Sequence, residues 1–362
     1  MIFEHRSLLR INSSIYSYIP VISDFNNDNH VDIALTNAMI PGIVVLLGYG
    51  NGSFSSGIQT TMLYWHPFQN LIVADMNNDG KVDILFVDAY YKRICVIFGN
   101  GDGRFNPVPI MTFYLLIGEI STLPVVADFN NDQYLDIVFI EDLTDTIYLF
   151  TGVGDGSFLN NGIILVESDS YLTAVGVHDF NNDGYEDIAT IDMKYRNMAL
   201  YLGYGNGSFR RSENIFTGGA LYPDQMSFAD FNNDNFLDIF ITYSGNELRF
   251  LLGYCNSTFT RKDLIRYNGS YENVVISIND LNKDGHLDIT IGRISPYDIY
   301  ILYGDGYGNF WTQIAFSTSV QGNLTWSGVA DFNNDGYEDI LTIGTLSGIM
   351  NILLNTKNCN SN

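Results

Sequence analysis

The chain has 362 residues, 46% of them hydrophobic, and carries a net charge of −24 with only three cysteines, Cys95, Cys255 and Cys359. That apolar content suits a packed globule, as two ordinary domains or one repetitive one, and excludes a disordered chain. The acidity excludes nucleic acid as a partner, the odd and sparse cysteines exclude a disulfide framework, and no run of about 18 apolar residues exists to span a membrane.

The chain opens with MIFEHRSLLRI, which lacks the basic and then long apolar pattern of a signal peptide and carries Phe3 in a strand-like context. The first acidic loop follows. Asp24, Asn26, Asp28 and Asp32 stand at positions one, three, five and nine of D-x-N-x-D-x-x-x-D, with His30 at position seven. An apolar run leads into the loop, a second leaves it, and a third follows a short polar turn. A glycine-rich turn, G-x-G-x-G-x-F or close to it, then ends at Phe54, and a more polar fourth run completes the unit.

The unit recurs down the chain. Its second copy has Asp75, Asn77, Asp79, Lys81 and Asp83, and its third has Asp128, Asn130, Asp132, Tyr134 and Asp136. The fourth has Asp179, Asn181, Asp183, Tyr185 and Asp187, and the fifth has Asp230, Asn232, Asp234, Phe236 and Asp238. Asp280, Asn282, Asp284, His286 and Asp288 form the sixth; Asp331, Asn333, Asp335, Tyr337 and Asp339 form the seventh. Successive copies lie 51, 53, 51, 51, 50 and 51 residues apart, and Ile follows the last Asp in every one. A period near 50 is in the propeller range.

Four short runs bounded by Gly and Asn turns make one blade, and no segment holds a 3.6-residue period. The expectation is therefore all-β: a seven-bladed β-propeller of four-stranded antiparallel blades. The seventh unit stops after its third run, at ILLNT, while MIFEHRSLLRI aligns with STFTRKDLIRY (257–267), Phe3 falling where Phe259 falls. The N-terminal strand is thus expected to complete the last blade and leave no open sheet edge. Residues 1–356 then make one domain and 357–362 a tail.

Oxygen donors at positions one, three, five and nine, with a backbone carbonyl from position seven (His30, Lys81, Tyr134, Tyr185, Phe236, His286, Tyr337), suit a hard cation such as Ca²⁺. Position six must turn sharply: Gly80, Gly184, Gly285 and Gly336 do so freely, Asn29 and Asn235 tolerate a left-handed conformation, and Gln133 tolerates it least. No EF-hand is present, since strand-like runs flank the loop and Leu35 stands at position twelve. Three aspartates in each of seven loops account for twenty-one of the forty-one acids, leaving twenty against seventeen Lys and Arg elsewhere. The charge is therefore confined to the loops, and up to seven Ca²⁺ would bring −24 to −10.

Through D-F-N-N-D-G-Y-x-D-I and G-x-G-x-G-x-F, essentially the whole chain resembles the FG-GAP or VCBS repeat, the seven-bladed propeller of integrin alpha subunits and of many secreted proteins. The resemblance implies calcium in the loop joining the first and second strands, an extracellular setting, and a role in adhesion or ligand binding. Integrin propellers carry the motif in only some blades, whereas all seven have it here. In that respect the chain is more similar to free-standing secreted propellers, including fungal lectins. Six N-x-S/T sequons (Asn12, Asn51, Asn206, Asn256, Asn268, Asn323) are compatible with secretion, although several fall inside the recurring N-G-S turn.

Catalysis would show as a feature that breaks the repeat. His5, His30, His66, His178 and His286 sit in no G-x-S-x-G or H-E-x-x-H context, and Glu186 and Glu338, at loop position eight, read as solvent-facing strand residues. No enzyme is expected. Binding is expected at the connections away from the acidic loops, where variable aromatics and arginines gather: Tyr64, Trp65, Tyr90, Tyr91, Arg93, Tyr195, Arg196, Tyr222, Tyr271, Tyr297 and Trp326. Such residues anchor protein interfaces, and aromatic faces also stack on sugars. The expected function is a calcium-binding extracellular module for protein or glycan ligands; the alternatives are a structural spacer in a larger surface protein, or a hydrolase or lyase on a propeller scaffold.

Overall fold

The computed structural model describes residues 2–10, 20–37, 42–62, 69–88, 90–108, 111–114, 123–141, 144–166, 170–212, 214–217, 223–243, 247–262, 265–266, 275–292, 298–317, 324–344 and 349–356. They form seven antiparallel sheets, the blades of a propeller, and among them there is no helix. No helix long and apolar enough to cross a membrane is therefore found among the described residues.

Blade two shows the plan, with strands Gln69–Ala74, Asp83–Asp88, Arg93–Ile97 and Met111–Tyr114 hydrogen-bonded in chain order. Its second and third strands are buried along their whole length. This is why DILFVD and RICVI read as nearly continuous apolar runs: each face of the sheet packs on a different neighbouring blade. In blade one, Leu35, Val44 and Leu46 pack on Leu341, Ile343, Met350 and Ile352 of blade seven. On its other face, Ala34, Ile43 and Val45 pack on Ile84, Phe86 and Ile97 of blade two. The core is thus a series of interblade layers. The fourth strand divides in blades four and five, where Phe209–Arg211 and Ile215–Phe216, and then Phe259–Arg261 and Ile265–Arg266, share one edge.

Blade seven is assembled from both ends of the chain. Strand Ile2–Arg10 pairs with Ile349–Thr356, which pairs with Asp339–Gly344 and then Leu324–Ala330. Phe3 lies opposite Asn355, as Phe259 lies opposite Gly253, so the register is the one expected from the alignment. Phe3 joins the layer containing Ile299, Ile301 and Tyr303 of blade six, and burying such a ring contributes about 1.5–3 kcal/mol.

Closing the ring this way leaves blade seven without a glycine turn, and one side chain takes over that turn's work. In four other blades the last glycine of the turn donates its N–H to the neighbouring blade: Gly52 to Phe332 O, Gly103 to Phe25 O, Gly207 to Phe129 O and Gly308 to Phe231 O, at 2.9–3.1 Å. In blade seven the Asn355 side-chain amide donates instead, to Leu281 O at 2.9 Å and Glu338 O at 3.2 Å. Asn355→Ala leaves both carbonyls without that donor in a buried setting. It is expected to lower stability by about 1–3 kcal/mol, read as a shifted urea midpoint at unchanged slope.

Candidate metal centre and the outer turns

Each acidic loop joins the first and second strands of its blade, and its sequence dictates its shape. In blade one, Asp24 Oδ1 accepts the N–H of Asp28 and Asp24 Oδ2 that of Asn29, at 3.2 and 2.7 Å. Asn26 Oδ1 accepts Asp28 N–H, and Asp28 Oδ1 accepts His30 N–H, at 3.2 and 2.9 Å. These local side-chain-to-backbone bonds fold the loop back on itself. The same bonds recur around the ring, for example at Asp331, Asn333 and Asp335.

Position six is left-handed in all seven copies, including Gln133 at φ 72°. Position four is left-handed too, from 55° to 62°, at Asn27, Asn78, Asn131, Asn182, Asn233, Lys283 and Asn334. That second constraint was legible in the recurring N-N-D but carries no weight in a ligand-spacing argument. Replacing Gln133 by Gly is expected to raise stability by about 1 kcal/mol, because only the side chain opposes that backbone; a denaturation curve checks it.

Position nine behaves differently from the other three donors. Asp32 is fully buried. Its Oδ2 accepts Phe25 N–H at 2.9 Å and its Oδ1 accepts Gly48 N–H at 2.7 Å. The same pair of bonds appears in the other six blades, with Asn355 N–H taking the glycine's place in the last. The carboxylate thus fastens the acidic loop to the start of the glycine turn. A side chain at Gly48 would drive its Cβ into Val31 O, so glycine is what lets the turn lie this close.

Burial pushes Asp32, Asp83, Asp136, Asp238 and Asp288 up to about 6, and Asp187 and Asp339 up to about 7. Loop carboxylates add to the rise, while the two N–H bonds oppose it. These folded values exceed the ordinary carboxylate range, so between about pH 4 and 7 the folded chain holds protons that the unfolded chain has released. In chelator, stability is therefore expected to fall as pH rises from 5 to 7.5, measured as the denaturation midpoint.

The donor chemistry fits a hard cation: oxygen atoms only, at positions one, three and five of an exposed loop, with each carboxylate oxygen keeping a second lone pair. As the side chains stand, however, they are bonded to the loop's own amides, and Asn26 Nδ2 donates to Asp28 Oδ2 at 2.8 Å. Among the described residues no three acidic side chains converge on a common point suited to a metal.

Adjacent loops touch around the ring through positions four and seven. Asn334 Nδ2 lies 2.7 Å from His30 Nδ1, Asn233 Nδ2 lies 3.1 Å from His286 Nδ1, and Lys283 Nζ lies 4.9 Å above the Tyr337 ring. The two histidines thus join blades. His178 Nδ1 accepts Asp179 N–H at 3.0 Å. Glu186 and Glu338 are half-buried, not solvent-facing as the sequence suggested, and burial raises both. His66 lies outside the described residues, and of His5 only the strand position is described.

At the opposite end, the turns between second and third strands carry Tyr90 and Tyr91 in blade two and Tyr195 and Arg196 in blade four. Tyr90, Tyr91 and Tyr195 are exposed, and Tyr90 and Tyr91 meet edge to face at 5.0 Å. Arg93 is not a surface residue. It is 5% exposed, and its Nε and Nη2 bond Asp88 Oδ2 at 3.0 and 2.9 Å. Trp326 lies within the strand Leu324–Ala330, not in a connecting turn. Tyr64, Trp65, Tyr222, Tyr271 and Tyr297 fall outside the described residues. Exposed aromatics also occur on the acidic-loop end: Tyr49, Tyr204, Tyr254 and Tyr307, each in a glycine turn or its counterpart, were not among the expected binding residues. The recurring G-Y before these turns was the available signal.

No curated protein sequence matches the chain. Among solved structures, a lectin from Agrocybe aegerita, described as specifically recognising non-reducing terminal N-acetylglucosamine, superposes with a TM-score of 0.63 at 18% identity, over 92% of this chain and 87% of that one. BBS1N, in complex with ARL6DN, superposes with a TM-score of 0.65 at 10% identity, over 99% and 98%. A protein from Lactobacillus plantarum gives a TM-score of 0.60 at 10% identity, over 93% and 94%. At these identities the likeness is one of fold. The FG-GAP-like repeat model matches residues 24–86, 75–139, 128–190, 179–241, 230–291 and 280–342. With its acidic loops, glycine turns and interblade bonds thus repeated along almost its whole length, the chain belongs to the FG-GAP repeat family.

Proposed function

We propose that this propeller is an extracellular binding module for glycan or protein ligands, with its acidic loops stabilised by Ca²⁺. The observation that carries the binding reading is the division of each blade into two ends. At one end the acidic loop repeats the same bond to position nine seven times, and the glycine turn is fastened to it in six blades and Asn355 in the seventh. At the other end the turns change chemistry from blade to blade and expose Tyr90, Tyr91 and Tyr195. Aromatic residues displayed on rigid turns suit recognition. Fold relatives described as binding a terminal sugar and as bound to a protein support the same class.

The calcium reading rests on the donor set and on charge. In six blades a buried carboxylate lies near two further carboxylates at positions one and five, and in blade six Asp288 lies near Asp284. Asp24, Asn26, Asp28 and the His30 carbonyl would hold the ion in blade one, with Asp32 beneath, and the corresponding residues would do so in the others. The ion supplies charge compensation and rigidity, not chemistry. An extracellular setting agrees with millimolar calcium and with the sequons.

Binding is tested on glycan and extracellular-protein arrays, each with calcium and with EGTA. Specific, saturable binding to either array supports a recognition module; silence on both favours a spacer. Removing calcium is expected to lower the melting temperature, because an ion bound only by the folded state adds about 2.7 kcal/mol per site at a hundredfold excess over its Kd. An unchanged melting curve in EGTA, with no metal in elemental analysis, rejects the calcium reading. In a limiting-calcium titration the Asp128 loop, with Gln133 at position six, fills last.

A further inference from the structure

A cavity of about 110 Å³ opens in blade four, on the sheet face that packs toward blade three, and reaches the turn that carries Tyr195. Asp192, the last residue of strand Asp187–Asp192, lines it and is 7% exposed. Its Oδ1 accepts the N–H groups of Tyr171, Lys194 and Tyr195 at 3.3, 2.8 and 3.1 Å, so the carboxylate is fixed in place. Among the described residues no donor reaches its Oδ2. Thr190 Oγ1 lines the same cavity from a wholly buried side chain and has no hydrogen-bond partner. At the rim, Arg211 Nη2 donates to Asn214 Oδ1 at 2.6 Å, which leaves the Asn214 amide nitrogen as a donor.

Blade two supplies an internal comparison. Asp88 occupies the place of Asp192, five residues after position nine, and its Oδ2 is bonded by the buried guanidinium of Arg93. In blade four Asn197 stands where Arg93 stands, at the first residue of the third strand. Asp192 has thus been kept without its counter-ion, and a cavity lies beside it. A buried polar group left open in this way costs stability unless something completes it.

We propose that this cavity is a subsite for one neutral sugar residue. A sugar hydroxyl donates to Asp192 Oδ2, another exchanges a hydrogen bond with Thr190 Oγ1, and the exposed Tyr195 ring offers an apolar face. Hydroxyl donors fit an open carboxylate, whereas a sugar carboxylate at that point would be repelled by Asp192, the Arg211 guanidinium lying at the rim and bonded to Asn214. At about 110 Å³ the cavity takes the edge of one ring and its hydroxyls, the rest of the sugar lying outside against Tyr195, and has no room for an extended chain. The assignment rests on the glycan branch of the proposed function.

The test is saturation-transfer NMR and calorimetric titration with methyl glycosides of glucose, galactose, mannose and N-acetylglucosamine, with glucuronic acid as the anionic comparison. Asp192→Asn keeps an oxygen for the three backbone donors and is expected to fold. It should weaken the best neutral glycoside roughly tenfold or more, the cost of a charged hydrogen bond. Asn197→Arg rebuilds the blade-two ion pair and should abolish binding without lowering the melting temperature. Val108→Ala, at an exposed position of blade two outside the cavity and the aromatic turns, should leave affinity unchanged. If glycosides bind but neither blade-four variant changes affinity, this subsite is wrong while the wider binding reading stands. A protein ligand with no glycoside binding likewise rejects the subsite and keeps the wider reading, and tighter binding of glucuronic acid overturns the neutral-sugar assignment.

Discussion

The propeller depends on a buried carboxylate in each blade that accepts two backbone hydrogen bonds, in blade one from Phe25, seven residues before it, and from Gly48, sixteen residues after it. One bond comes from the acidic loop and the other from the residue that opens the glycine turn. Removing either would leave a buried backbone donor unsatisfied, which is costly in a low-dielectric interior. With both made, the two turns at that end of the blade act as one rigid unit. The neighbouring blade then rests on that unit through the N–H bonds of Gly52, Gly103, Gly207 and Gly308.

Ring closure obeys the same requirement by different means. The last blade borrows its outer strand from the N-terminus, and so has no glycine turn of its own. Asn355 supplies two functions at once: its backbone N–H reaches Asp339, and its side-chain amide reaches Leu281 O. The need for a donor at that point has been met by a side chain where the backbone path is missing. Stability at this end leaves the other end free to vary, and there Asp88 and Asp192 diverge, one neutralised by Arg93 and one open to a cavity.

Much of this architecture is legible in the amino-acid sequence. The fixed period of the D-x-N-x-D-x-x-x-D loop, the four runs per unit and the match of Phe3 to Phe259 specify seven blades and their closure, because strand pairing in a repeat needs only local pattern and register. The loop's crowded oxygens are legible as a candidate cation site. What spacing does not reveal is the separate task of position nine, since a buried staple and an exposed ligand both read as Asp. Arg93 reads as a surface anchor because its sequence neighbours, Tyr90 and Tyr91, are on the surface. Its pairing with Asp88 is fixed by the hairpin.

The sequence by itself determined the architecture, since short apolar runs, turn residues and repeat length are local properties that each unit carries independently. Only the tertiary structure decided which of those residues are partners. Whether Asp32 is sealed beneath its loop, whether Asn355 bridges two blades, and whether Asp192 is answered by a cation depend on which atoms meet across strands and blades. Hydrogen bonding and burial act over a few ångströms of space, and partners at that distance here include pairs 5 positions apart in the chain and pairs 304 apart.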